Sequence, residues 1–159
     1  MSGRCHPFGR VRMAAEEGTM PLSKDEIEAF LRRANVAVVA TVGPGGEPHA
    51  VPTWYEYDDG QIVLHAGLRS RKCRNLRQND RVSICVDTKT APYQAVVVYG
   101  RASLEVGRDD ERLRRMAVAY LGDAVGNIYA DTVSGEETVI VRVRPERIVS
   151  WDYGRGDRP

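Results

Sequence analysis

Apolar and polar positions follow two periods along this chain, and the switches between them mark its elements. Residues 23–34, SKDEIEAFLRRA, place Ile27, Phe30, Leu31 and Ala34 on one helical face. Ser23 with Glu26 three places on forms a capping box, which predicts where that helix starts. Residues 36–42, VAVVATV, are β-branched and almost wholly apolar, so they predict a central strand. GPGGE at 43–47 is a turn. His49 to Tyr57 predicts a second strand, and Pro52 inside it marks an edge or a bulge. Asp58-Asp59-Gly60 is a hairpin turn into a third strand over 61–66.

The second half repeats this alternation with longer pieces. A short helix is predicted over 71–78, with Cys73 and Leu76 facing the core and Arg71, Arg74, Asn75 and Gln78 on the other side. A fourth strand spans 81–87 and a long fifth spans 93–106, in which Gly100 predicts a bend or bulge. Residues 109–121 form an amphipathic helix with Leu113, Met116, Ala117 and Tyr120 on its apolar face. Helix continues over 123–133 after a break at Gly122. Thr138 to Val143 is a sixth strand, Pro145 starts a turn, and Ile148 to Trp151 is a last short strand. Hairpin connections make the sheet mostly antiparallel, and closing it into a small barrel would hide its edges. The expected class is mainly β with peripheral helices, in one domain over residues 20–154. Residues 1–19 are expected as a disordered leader or an over-long start, and 155–159 as a tail.

Composition narrows the function classes. Net charge is +1, so the whole molecule is not built to grip nucleic acid or an acidic membrane. No apolar run approaches the length of a membrane-spanning helix. Residues 1–19 lack the apolar centre of a signal peptide. Cys5, Cys73 and Cys85 form no CxxC, and their odd number suits a reducing cytoplasm. Cys73 and Cys85 read as small buried hydrophobes. No His, Cys, Asp and Glu set has metal-ligand spacing.

One stretch departs from this ordinary background. Residues 69–81, RSRKCRNLRQNDR, hold six basic residues and one acid, Asp80. Ser70-Arg71-Lys72 opens the short helix, whose first turn offers free N–H groups and a positive dipole end to a phosphate. Spacing alone leaves two readings open: a phosphate site, or a solvated basic helix face. A nucleic-acid surface is a weaker third, because the stretch has no aromatic for base stacking.

His65-Ala66, Ser70-Arg71-Lys72 and Asn79-Asp80-Arg81-Val82-Ser83, in that order, resemble the pyridoxamine 5′-phosphate oxidase family. So do the opening helix, VVATVGPGGEPHAVP over 38–52, VVVYGRAS over 96–103 and RPERIVSW over 144–151. The resemblance covers residues 22–152 and implies an antiparallel split β-barrel, a homodimer with its cofactor at the interface. Lys72-x-x-Asn75-Leu76-Arg77 is most similar to the branch that binds coenzyme F-420 or FMN. The resemblance implies that Arg71 and Lys72 bind phosphate and that Ser70 helps close that pocket. It implies that Val51, Pro52, Thr53 and Trp54 run beside the flavin ring. His65 and Ala66 match the pair before the phosphate loop, and Trp151 matches a Trp that approaches the cofactor across the dimer interface. Arg69, Arg74 and Arg77 surround the phosphate position and suit the acidic tail of F-420.

Departures from the family lie on the substrate side. Glu56 aligns with a Lys that holds the substrate phosphate, and Asp157 and Pro159 stand where the family has an Arg-x-His pair. Pyridoxine phosphate is therefore not the expected substrate. The implied activity is hydride transfer between F-420 or FMN and an unsaturated small molecule, in the cytoplasm. No side chain stands out as a catalytic acid or base. The alternative is a non-catalytic flavin or haem carrier of the same fold, with His49 or His65 as the axial ligand.

Overall fold

The computed structural model describes residues 11–14, 20–133 and 137–155. Its frame is an eight-stranded sheet that curls into a split barrel. The strands are β1 (Arg12–Ala14), β2 (Ala37–Val42), β3 (Pro48–Thr53), β4 (Glu56–Asp58), β5 (Gln61–Gly67), β6 (Arg81–Asp87), β7 (Gln94–Val106) and β8 (Thr138–Asp152). Along the sheet they run β3-β2-β6-β7-β8-β5-β4, with β1 beside β8. All pairings are antiparallel except β1 with β8. The helices are α1 (Lys24–Leu31), α2 (Arg71–Gln78), α3 (Asp110–Leu121) and α4 (Asp123–Thr132). None is long and apolar enough to cross a membrane.

Strand β8 is the spine. It pairs with β7 along its length, and its other edge takes β5 at residues 138–143 and β1 at 147–149. Alternate residues of β2, β6 and β7 point inward. Val39, Ile84, Val86, Val96 and Val98 are fully buried there, as two-period patterning requires. Ile27, Phe30 and Leu31 of α1 complete the core. The α1 capping box forms as the sequence implies: the Ser23 side chain accepts from the Glu26 amide, and the Glu26 carboxylate accepts from the Ser23 amide.

Four features differ from the pattern read along the chain. Pro145 does not start a turn, and β8 runs unbroken through it. The pairing of β7 with β8 shifts register between Tyr99 and Gly100, so Pro145, which has no N–H, lies opposite Gly100 at an irregular step of the ladder. The expected strand over 49–57 is two strands, broken at Trp54-Tyr55. Arg12–Ala14, expected within a disordered leader, pair with Arg147, Ile148 and Val149; residues 1–10, 15–19 and 156–159, with Asp157 and Pro159, lie outside the described residues. Cys73 is buried as expected, but Cys85 is only half-buried.

The break at Trp54-Tyr55 has a partner on α3. The Tyr120 hydroxyl donates to the Asn35 carbonyl at 2.8 Å and accepts from the Tyr55 amide at 3.2 Å. It supplies the hydrogen bonds that a neighbouring strand would otherwise give. The Trp54 ring turns out of the sheet and stacks on Tyr120, centroids 5.1 Å apart.

A second clamp holds α3 on the barrel. The buried Arg112 guanidinium bonds Glu56, Asp58 at 2.9 Å and Asp109 at 3.2 Å, and Arg115 takes the other Glu56 oxygen at 3.1 Å. Burying one cation against three partly exposed carboxylates satisfies its donors and ties the helix to β4. Helix α4 then packs on α3 through Gly126, where a side chain would meet the Val118 backbone at 2.6 Å.

The barrel's central step depends equally on glycine. A Cβ at position 100 would lie 2.3 Å from the Arg144 carbonyl oxygen. Gly100→Ala is expected to destabilise the protein by about 1–3 kcal/mol, because backbone must shift to admit the methyl. Urea unfolding with an unchanged midpoint would show that the strands part freely at this step.

Candidate active site

The helix that carries Ser70, Arg71 and Lys72 is locked to the β2–β3 hairpin. Ser70 caps it, its hydroxyl accepting from the Cys73 amide at 3.4 Å. Cys73 and Leu76 are buried, as helical spacing predicts. Asn75 is buried too, at 4% exposure, which the spacing did not predict. Its amide donates to the Thr41 hydroxyl at 3.0 Å, and Thr41 donates onward to the His49 carbonyl at 3.5 Å. A polar side chain expected to face solvent is instead the key that sets α2 against β2 and the strand beside it.

Arg71 reaches the same hairpin from outside and pairs with Glu47 at 3.2 Å. Both side chains are 47% exposed, and a pair so placed is worth little, about 0–1 kcal/mol. An anion of higher charge can displace it. Lys72 is half-buried in the first turn of α2 and has no hydrogen-bond or ion-pair partner among the described residues. Arg77 donates to the Leu68 carbonyl at 3.1 Å, closing the loop that leads from β5 into the helix. Arg69 and Arg74 are exposed. The donor set therefore fits a phosphate: one unpartnered ammonium, one loosely held guanidinium, and the free amides of a capped helix start.

A cavity of about 420 Å³ lies where the sheet opens between β3 and β4. Pro52, Thr53 and Trp54 form one wall, and His65 of β5 lies across from them. Leu113 and Met116 of α3 and Tyr129 of α4 cover it. His65, Leu113 and Tyr129 also line an adjoining cavity of about 160 Å³ with Ala66 and Arg108. Both His65 ring nitrogens are buried without a hydrogen-bond partner. Burial pushes this imidazole below its ordinary 6.5, with Asp109 opposing.

The residues singled out in the sequence thus fall into three groups. Pro52, Thr53, Trp54, His65 and Ala66 meet around the two adjoining cavities. Ser70, Arg71 and Lys72 form the helix start, while Val51 lies half-buried on β3, paired with Val39. Trp151 is apart from them: it pairs with Ala95 near the end of β8 and lines neither cavity. Sequence reasoning missed Tyr129, Asn75 and Arg112. Tyr129 sits on a helix whose apolar residues Val125 and Ile128 are exposed, so periodicity carried no signal for it.

A curled antiparallel barrel, an open seam under a helical cover and a capped basic helix beside it define a flavin-type cofactor protein of the split-barrel class. Residues 23–152 match the pyridoxamine 5′-phosphate oxidase family. The chain belongs to that family. It is 33% identical over 141 residues to a 5a,11a-dehydrotetracycline/5a,11a-dehydrooxytetracycline reductase of Streptomyces rimosus, covering 83% of this chain and 84% of the relative. Among solved structures it resembles a conserved hypothetical protein of Mycobacterium tuberculosis, with TM-score 0.69 and 28% identity over 88% of this chain and 90% of the other. It also shares its fold with an F-420 reductase, with TM-score 0.61 and 23% identity over 76% and 94%. Family and relative together support an oxidoreductase with a flavin-type cofactor.

The unpartnered imidazole gives a pH prediction. Its folded-state value lies below the unfolded 6.5, so the unfolded chain binds the proton more readily. Above pH 6.5 the ring is neutral in both states and stability does not depend on its protonation; below it the unfolded chain takes up the proton first and stability falls. Urea unfolding at pH 7, 6 and 5 is expected to show this decline in wild type and a shallower one in His65→Phe. Parallel curves would contradict it.

Proposed function

We propose that this protein transfers a hydride between F-420 or FMN and an unsaturated small molecule. The observation that carries the reading is Lys72, unpartnered among the described residues, in the first turn of a helix keyed to the hairpin that carries Val51, Pro52 and Thr53 and leads into Trp54. When bound, the cofactor supplies the hydride chemistry at the central position of its ring. The protein's residues do the rest. Lys72, Arg71 and the α2 amides neutralise the phosphate, with Ser70 holding the helix start in place. Residues 51–54 position the ring, with Ala66 close to the turn into α2. The cover of Leu113, Met116 and Tyr129 keeps water from the reacting face.

Arg69 and Arg74, exposed around the same helix, favour F-420, whose tail carries carboxylates where FMN ends in its phosphate. The kinship with a reductase named for dehydrotetracyclines supports reduction of an unsaturated small molecule. Trp151 acts in a homodimer, reaching the cofactor held by the partner subunit. Glu56, bound to Arg112 and Arg115, offers no anchor for a substrate phosphate.

Absorbance titrations with F-420 and with FMN test the cofactor half. Wild type is expected to bind at least one, F-420 more tightly. Lys72→Ala is expected to weaken binding about 10- to 100-fold, the range of a lost charge-assisted hydrogen bond. Glu47→Gln is expected to tighten it, because Arg71 is released from its ion pair. Unchanged affinity in Lys72→Ala would remove the phosphate assignment. Ultracentrifugation tests the dimer, and Trp151→Phe is expected to weaken cofactor binding without changing the sedimentation of the apoprotein.

A further inference from the structure

The cavity at the sheet's opening differs chemically from the basic helix beside it. Lys72, Arg69 and Arg74 make the helix end cationic. The cavity wall has no ionised side chain: Trp54, Tyr129, Leu113 and Met116 give it apolar and aromatic faces. The nearby charges are committed elsewhere. Arg112 is held by Glu56, Asp58 and Asp109, and Arg108 pairs with Asp110 at 2.6 Å and donates to the Val133 carbonyl at 3.0 Å. His65 stands out against this lining, because both of its ring nitrogens are buried and unpartnered.

A buried polar group without a partner costs about 1–3 kcal/mol, and such groups in folded proteins ordinarily find one. A neutral imidazole carries one N–H donor and one acceptor. A ligand oxygen in the cavity would accept from the donor. An ionised ligand would lose its hydration without meeting an opposite charge.

We infer that this cavity binds uncharged, planar, largely apolar carbonyl compounds, with the carbonyl oxygen accepting a hydrogen bond from His65. The inference deepens the proposed function, since these compounds would be the hydride's partner. It assigns His65 to the substrate, shares Trp54 between the substrate and the cofactor ring, and leaves the rest of the cofactor site to β3 and α2. The aromatic faces of Trp54 and Tyr129 give shape selection for flat rings, and His65 gives selection for the oxygen. His65 is therefore a specificity residue.

Three tricyclic probes separate these contributions: 9-fluorenone, fluorene, which has the rings without the carbonyl, and fluorenone-4-carboxylate, which adds a charge. Binding to the full-length, cofactor-free protein is read by fluorescence quenching in a Trp151→Phe background, where Trp54 alone reports. Fluorenone is expected to bind at least tenfold tighter than fluorene and tenfold tighter than the carboxylate. His65→Phe is expected to bring the fluorenone-to-fluorene ratio near one, and His65→Gln, which keeps a donor, to restore part of it. Tyr129→Ala is expected to weaken fluorenone and fluorene equally.

A ratio unchanged in His65→Phe overturns the inference. So does a carboxylate that binds as tightly as the ketone, or fluorenone that fails to quench Trp54 up to its solubility limit. An F-420 and FMN titration of His65→Phe is run alongside. Cofactor affinity within twofold of wild type supports the assignment, and a parallel loss of cofactor and ketone binding overturns it. If wild type binds neither cofactor while the ketone pattern holds, the redox reading fails and the cavity assignment stands.

Discussion

A sheet that curls without closing must satisfy the backbone groups at its opening, and here one phenol does so. The Tyr120 hydroxyl bridges Asn35 and Tyr55 at the point where β3 ends and β4 has not begun. Because Tyr120 belongs to α3, the helix is fixed over the opening, and Arg112 fixes it a second time through β4. The cavity follows from that arrangement. Its wall is the strand end freed by the break, and its cover is the helix that repairs the break. Trp54 belongs to both, since leaving the strand is what lets its ring stack on Tyr120.

The two ends of the site rest on different physics. The basic helix start is a cluster of exposed and half-exposed charge, whose attraction for an anion weakens with salt. The cavity is lined by apolar and aromatic faces, and burial against such faces depends little on salt. They are joined mechanically by Asn75 and Thr41, which fix α2 to the hairpin carrying β3. That single buried amide sets the basic helix start against the hairpin whose far end lines the cavity.

Much of the fold was legible in the sequence because it is written locally. The α1 capping box, the bounds of α2 and the irregularity at Gly100 follow from residues within a few positions of each other. What escaped depends on distant partners. The strand over 49–57 divides because of Tyr120, more than sixty positions later. Pro145 continues a strand because its missing donor falls beside a register shift set by Gly100. Asn75 looked solvent-facing and Arg112 drew no reading at all, because nothing local shows that Thr41, Glu56 and Asp58 await them. The site divides the same way: its helix start was visible as a local charge run, whereas the cavity is assembled from four separate elements.

The junction at Gly126 makes the cavity's roof a separate part. Helix α3 is bolted to the barrel, but α4 rests chiefly on α3 and presents Tyr129 to the cavity. Changes along α4 act first on α3 and on the cavity's roof. The roof of the cavity can therefore vary within ten residues while the barrel and the basic helix keep their own sequence.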